Sequence, residues 1–434
     1  MRQKLFYQAL GILIWFIIIL HLCSCSQGQV SDEKIVLTIV TDAAAEITEA
    51  VRAFNTSHDN CEIQIESYTV GDGELLTTRL STGDVPDMFC FGTNFFFGMS
   101  PFAPETYVAK GLMEDLYPYI DSDSELSRES FLQSVLLAAE TESGHLYVLP
   151  SSFWIDVVVG DAVVVGDTLG WTFSDLEAVL AEYPNAKGAF GSYMTQYYLL
   201  AHLLAYNYDS FLDWEKGTCD FDSEEFRDLL RLAASHNPAI YSSDNRTEYD
   251  LIHTGEQILM YGKMGRVDAI QEYVQYFGTP DITFIGFPVS EGVGNCINYD
   301  LSFSISSSTQ HGDICWEFIR GFLLDDYDPA LFPVNNTAMQ RRLEHLSEYE
   351  VPGANITMGE GETEFTVTFT EATAEQITMF GELVSSLDRV THYDAALFGI
   401  VWDEAQSYFS GDRTVEETAA LIQSRVSIYM AEQK

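Results

Sequence analysis

The stretch Thr78–Phe97, TRLSTGDVPDMFCFGTNFFF, decides the fold. Thr78–Thr82 reads as the tail of a helix running into Gly83, which suits the position after a helix because glycine tolerates a positive φ. Asp84-Val85-Pro86 fixes a turn. Asp87–Phe91 is apolar after its first residue and reads as a short buried strand. Gly92-Thr93-Asn94 then opens a polar loop ahead of Phe95-Phe96-Phe97. In an open α/β sheet, ligands bind at the loops that leave the carboxyl ends of strands. This loop offers an amide, a hydroxyl and several aromatic faces, with no nucleophile paired to a base. It is equipped to hold a ligand, not to react with one.

Upstream, Ile35–Val40 reads as a first strand. Ala43–Ser57 carries Ile47, Ala50, Val51 and Phe54 at helical spacing, Glu62–Tyr68 alternates as a strand, and Glu74–Thr82 is a second helix. Strand, helix, strand, helix, strand implies a parallel sheet with right-handed crossovers. Downstream, helices are expected over Tyr107–Ile120, turning over a proline, and over Ser127–Glu140. Gly144–Pro150 reads as a strand stopping at its proline, and Gly160-Asp161 as a tight turn between Val157–Val159 and Ala162–Val165. Trp171–Ala181 is a helix capped by Thr172 or Ser174, with Glu177 completing a capping box with Ser174. Further helices are expected at Gly191–Tyr208, Ser223–Ser235 and Asp313–Leu324. Strands follow at Gly255–Tyr261, Ile282–Pro288 and Asn298–Ser306. Leu343–Phe369 is polar and reads as a surface excursion before three closing helices, Thr373–Leu387, Ala395–Phe409 and Val415–Met430.

At the N-terminus, Arg2 and Lys4 precede an apolar run, Leu5–Leu22, and then Cys23-Ser24-Cys25. A basic start, an apolar core and small residues before a cut site make a secretory signal. Cleavage before Cys25 resembles the bacterial lipoprotein signal, with Cys25 as the lipid anchor. The alternative is an uncleaved membrane helix. The polar tail Ser26–Lys34 reads as a tether. Of 434 residues, 66 are acidic and 21 basic, for a net charge of −45. That field repels nucleic acid and anionic membrane surfaces. Apolar residues at 47% and aromatics at 13% exclude a disordered chain. Cys61, Cys90, Cys219, Cys296 and Cys315 are scattered and odd in number, and read as small buried side chains.

The order of these elements and their local words resembles the family 1 extracellular solute-binding proteins of ABC importers, the broad class that includes maltose-binding protein. The words are GDVPDMFCF (Gly83–Phe91), AKGLMEDLYPYI (Ala109–Ile120), GHLYVLP (Gly144–Pro150), GEQILMYG (Gly255–Gly262), CWEFIRGFL (Cys315–Leu323) with FPVN (Phe332–Asn335), and GDRTVEETAALIQSRVSIYMAE (Gly411–Glu432). One departure stands out: VVVGDAVVVGD (Val157–Asp167) replaces the family's usual Tyr-Asn pair after the crossing strand. The resemblance implies a two-lobed α/β fold, each lobe a mostly parallel sheet flanked by helices, hinged by crossing segments. It places a signal peptide at 1–24, a tether at 25–32, lobe one at 33–150 and 298–330, and lobe two at 151–297 and 331–434. It also implies a monomeric, lipid-anchored protein on the extracytoplasmic side of the cell membrane. That protein would capture a carbohydrate, an oligosaccharide by expectation, and pass it to ABC permease subunits.

Ligand-binding candidates come from loops that such a cleft would bring together. Phe91, Asn94 and Phe95 follow the third strand, and the resemblance sets Phe91 and Asn94 near an aromatic and an acidic contact of the class. Thr41 and Asp42 leave the first strand, Thr41 suited to capping and Asp42 to binding. Ser152, Phe153 and Trp154 follow the crossing proline and are expected to line the cleft floor, where Trp154 either offers a π face and an N–H to the ligand or packs the hinge. Tyr193 and Gln196 stand where a second-lobe helix begins, Tyr299 and Asp300 at the second crossing. Lys263 and Arg266 follow a strand and are either cleft or solvent residues. Few cations near these loops disfavour an anionic ligand. No serine-hydrolase elbow, phosphate loop, zincin motif or dinucleotide fingerprint occurs. Asp121-Ser122-Asp123-Ser124-Glu125 imitates half a calcium loop but has Leu126 and Leu132 where glycine and glutamate belong, and reads as a solvated acidic turn. No cofactor, metal or catalytic residue is expected. Other readings are the same fold with a polyol, peptide or phosphorylated solute, a surface glycan-processing enzyme, or a polysaccharide-capturing protein without a permease.

Overall fold

The computed structural model describes residues 34–92, 100–186, 189–191, 193–236, 246–290, 292–350, 352–358, 364–392 and 394–433. The opening strands fall where their apolar patterns place them: β1 (Ile35–Thr41), β2 (Cys61–Ser67) and β3 (Met88–Phe91). β1 pairs in parallel with both β2 and β3, so the crossover helices Ala44–Ser57 and Gly73–Ser81 cover the sheet. Gly83 ends the second helix at φ 82°. Asp87, the acid before β3, explains its own place in the chain: its carboxylate accepts Thr38 N–H at 2.8 Å and Thr309 O–H at 2.6 Å. It thereby fastens β3 to β1 and to the loop after the returning strand.

The next strand, β4, runs through Leu149–Asp161. This corrects two expectations. Pro150 does not stop the strand, because the ladder to the returning strand shifts register between Pro150 and Ser152, where a missing N–H is tolerated. Gly160-Asp161 does not turn; Asp161 caps a short helix, Ala162–Val165, by accepting Val163 N–H at 2.8 Å. A small ribbon follows, β5 (Leu212–Asp213) with β6 (Thr218–Cys219), then β7 (Leu259–Met264) and β8 (Ile282–Thr283) along β4. β7 starts later than expected because a helix, Glu248–His253, precedes it, and β8 is shorter. β9 (Cys296–Ile305) returns antiparallel to β4 and β3, and β10 (Phe332–Pro333) edges β4. The sheet order is β10-β4-β9-β3-β1-β2, with β7 and β8 on the far half of β4.

β4 and β9 therefore pass from the first-lobe strands to the second-lobe strands as the two long crossings. One core follows β4 across that passage, joining Leu37 and Met88 to Val157 and Met260. A second core belongs to the helices Gln196–Tyr206, Glu224–Ala234, Ala395–Phe409 and Val415–Gln433.

Other local differences have plain causes. The segment 107–120 holds two short helices, Pro104–Ala109 and Tyr117–Ser122, the latter with Pro118 in its first turn. A 3₁₀ turn (Arg128–Ser130) and a helix (Gln133–Ala138) replace the single helix expected at 127–140, and the helix expected from Gly191 begins at Gln196. Thr172, not Ser174, caps the helix Phe173–Glu182, boxed with Asp175. The excursion 343–369 contains the short helix Leu346–Tyr349 and a hairpin, β11 (Asn355–Met358) with β12 (Phe365–Thr368). The acidic turn is not simply solvated. Asp123 is 5% exposed and accepts from Arg320 Nε at 2.8 Å and Trp316 Nε1 at 2.9 Å. Cys61, Cys90, Cys296 and Cys315 are buried thiols and Cys219 is half-buried.

Candidate ligand-binding cleft

A cleft of about 750 Å³ opens beside the crossings, between the first-lobe helix Pro104–Ala109 and the second-lobe segment 208–215. That volume is typical of small-molecule sites. Its back wall carries Phe91 and Gly92 from the end of β3 and Asn298, Tyr299 and Ser302 from β9. Phe91 is held edge-on by Phe102, ring centroids 5.3 Å apart. Asn298 Nδ2 has no hydrogen-bond partner among the described residues.

Asp42 does not line the cleft but builds it. Its carboxylate accepts Gly92 N–H at 2.7 Å and Ser100 O–H at 3.1 Å, tying the loop after β1 to the loop after β3. Burial raises its pKa against those hydrogen bonds. The approach is so close that a Cβ on Gly92 would stand 2.7 Å from Ala43 Cβ. Thr41 serves the start of the next helix, accepting Ala43 N–H at 2.8 Å.

The remaining candidates are dispersed. Trp154 is 3% exposed, lies outside the cleft wall and donates Nε1–H to Asp156 at 3.2 Å. Asp156 also accepts Tyr206 O–H at 2.6 Å, and burial raises its pKa. Ser152 is buried and donates to Asp300 at 3.1 Å. Gln196 is buried and donates to the Ala234 carbonyl at 3.2 Å. Tyr193 stands beside Glu248 and Tyr261, away from the cleft wall. Lys263 lies over the Trp154 ring, and Arg266 pairs with Asp268 at 2.8 Å. Asn94 and Phe95 fall outside the described residues, as do Cys25 and the whole leader.

The opposite wall was not anticipated from sequence. Tyr208, Asp209, Asp213 and Trp214 come from the second lobe, and His392 from the segment between two closing helices. Tyr208 stacks on His392 with centroids 5.0 Å apart and accepts Trp214 Nε1–H at 2.7 Å. His392 Nδ1 lies 2.8 Å from Glu105 Oε1, and Nε2 lies 3.6 Å from Asp209. Burial opposes a charge on this ring, but Asp209 and Glu105 outweigh it and lift the pKa to about 10. The wall thus combines aromatic faces with carboxylates, and it contains no lysine or arginine among the described residues. Aromatic faces stack on C–H surfaces, and carboxylates and amides accept or donate to hydroxyls. An anionic group would lack the guanidinium fork that usually holds it.

A two-lobed α/β scaffold with a walled cleft beside its crossings is the architecture of a solute-binding protein. The chain belongs to the bacterial extracellular solute-binding protein family, whose family model matches residues 49–328. Similar solved structures include a periplasmic oligogalacturonide-binding protein of Yersinia enterocolitica, with TM-score 0.57 and 16% identity over 92% of this chain and 100% of that one. The sugar-binding protein MalE of Xanthomonas citri gives 0.54 and 13% over 92% and 98%. An ABC substrate-binding protein of Listeria monocytogenes in complex with cycloalternan gives 0.51 and 15% over 92% and 100%. At these identities the likeness is one of fold. No curated protein matches the sequence.

Proposed function

We propose that this protein captures an oligosaccharide in the cleft between its lobes and delivers it to an ABC permease. In this reading it works without catalysis, as a monomer, tethered by lipid on Cys25 to the extracytoplasmic face of the cell membrane. The observation that supports it best is the composition of the cleft wall. Trp214 and Tyr299 offer platforms, backed by the buried rings of Phe91 and Tyr208, and Asn298, Asp209 and Asp213 offer polar edges. A neutral pyranose presents that same pair of surfaces, C–H faces and a rim of hydroxyls. The similar structures whose names mention sugars agree with this ligand class.

A thermal-shift screen tests it. Neutral di- to oligosaccharides are expected to raise the melting midpoint, and Trp214→Ala or Tyr299→Ala to remove the shift while leaving the unliganded midpoint near wild type. Hits confined to amino acids, peptides or phosphates would end the carbohydrate reading. For the anchor, Cys25→Ser should abolish labelling of the protein by radioactive fatty acid in cells. Persistent label would move the anchor to Cys23 or point to a membrane helix.

A further inference from the structure

We propose that His392 is the positioning residue that holds the two lobes together across the cleft, through an ion pair with Glu105. This rests on the reading that the cleft captures its ligand by closure, and adds the residue that sets the closed position. Glu105 lies on the helix Pro104–Ala109, whose Thr106 and Tyr107 are buried against the first lobe. His392 is fixed to the second lobe. Its N–H donates to the Ala205 carbonyl at 3.3 Å, and the neighbouring Arg389 donates to the Tyr206 carbonyl at 3.1 Å. The contact between Glu105 and His392 therefore spans the lobes, joining residues 287 positions apart in the chain.

Other polar contacts cross the same divide: Lys216 to Glu142 at 2.8 Å, Ser143 to Glu215, and Lys110 to Gln433 at 3.2 Å. Exposure separates them. The side chains of Lys216 and Glu142 are 66% and 68% exposed, where an ion pair contributes little. Those of His392 and Glu105 are 22% and 18% exposed, where screening is weaker. The imidazole is also clamped flat against Tyr208, so little side-chain freedom remains to be lost on closing.

The groups around His392 define its charge. Glu105 faces it from the first lobe, Asp209 and Tyr208 from the helix Tyr208–Phe211, and Tyr299 lies near both acids on β9. Asp394 is near Glu105 from the next helix start. On its own segment, Arg389 is engaged by Asp388 at 2.9 Å. When the lobes part, Glu105 leaves and Asp209 stays, so the imidazole pKa is higher closed than open. The bridge then favours closure fully below the open-form value and loses that effect as pH rises through about 10.

The test uses the full unliganded protein with ¹³C-labelled histidine, and His392→Gln to assign the resonance. Wild type should titrate at His392 near the alkaline value, and its radius of gyration by small-angle scattering should grow across the same pH range. Glu105→Gln should lower the titration midpoint and give the larger radius already at pH 7. Glu142→Gln, at the exposed rim, should change neither. A Glu105→Gln protein with unchanged midpoint and radius overturns the proposal, as does a Glu142→Gln protein that opens equally. No sugar enters this experiment, so its failure is distinct from failure of the carbohydrate screen.

Discussion

Trp154 separates what a residue's neighbours in sequence reveal from what they hide. It follows the crossing proline, which suggests the cleft floor, yet every residue from Leu149 to Gly160 is buried. A strand covered on both faces gives no alternation by which to tell a ligand face from a packing face. Phe91 and Tyr299 were legible because they sit at strand positions that face the cleft. His392 was not, because its partner Glu105 is remote in the chain and no local spacing announces the pair. Removing a buried tryptophan of this kind costs roughly 3–5 kcal/mol. Trp154→Ala is accordingly expected to lower the unfolding free energy of the unliganded protein, read from urea denaturation, by that much while keeping the thermal shift by sugar. A variant of wild-type stability that loses the shift would return Trp154 to the binding site. Gly92→Ala tests the other kind of constraint. Its Cβ would press on Ala43, so overpacking costs of about 1–3 kcal/mol are expected in the same denaturation assay.

At the scale of elements, the reading from sequence was soundest where one face of a helix or strand is wet. The helices Ala44–Ser57, Glu224–Ala234, Ala395–Phe409 and Val415–Gln433 and the strands β1 to β3 fall within a residue or two of their patterns, except the last helix, which runs three residues on. It failed at β4 because Pro150 and Gly160-Asp161 look like punctuation, and only the neighbouring strand shows that the ladder absorbs them. At 121–125 it missed one residue: Asp121, Ser122, Ser124 and Glu125 are exposed, as a solvated turn implies, but the Asp123 side chain is not. There Asp123 joins the turn to the helix Gly312–Arg320. Burial works against its ionisation, but Arg320, the amides of Glu125 and Leu126, and Trp316 hold the carboxyl well below the usual range. A depressed folded pKa stabilises above the unfolded value and loses that effect as pH falls. Asp123→Asn is therefore expected to destabilise by about 1.5–3 kcal/mol at pH 7, as for hydrogen bonds to a charged group. The gap to wild type should narrow below about pH 4, where an unfolded aspartate titrates. A gap that is the same at pH 7 and pH 3 would mean that packing, not charge, is lost.

For the whole molecule, two long crossings and a cleft between rigid lobes mean that binding, compaction and stability are one equilibrium. A ligand that binds only the closed form adds stability, about 2.7 kcal/mol at a hundredfold excess over Kd. Domains of 150–250 residues gain about 2–4 °C per kcal/mol, and this longer chain somewhat less. A neutral oligosaccharide at that excess should thus raise the melting midpoint by several degrees, and in Glu105→Gln, whose lobes are expected to stand open at pH 7, it should reduce the radius of gyration as well. The charge of the molecule then sets a second, sharper expectation. The net charge of −45 adds a long-range penalty for any anion, and salt screens it beyond about 10 Å at 0.1 M. Inside the cleft, the one cationic side chain in the described wall, His392, is already engaged by Glu105 and Asp209. A uronic-acid oligomer would have to displace a carboxylate from it and gain no arginine in return. Matched trimers of a neutral hexose and of galacturonate, titrated by calorimetry at low and at physiological salt, separate these terms. The neutral trimer should bind with an affinity that hardly depends on salt. The galacturonate trimer should fail at both, since salt relieves the long-range repulsion but supplies no partner for its carboxylates. Tight binding of the galacturonate trimer with Glu105 and Asp209 intact would mean that the ligand recruits a cation from outside the described wall, and the cleft chemistry argued here would fall.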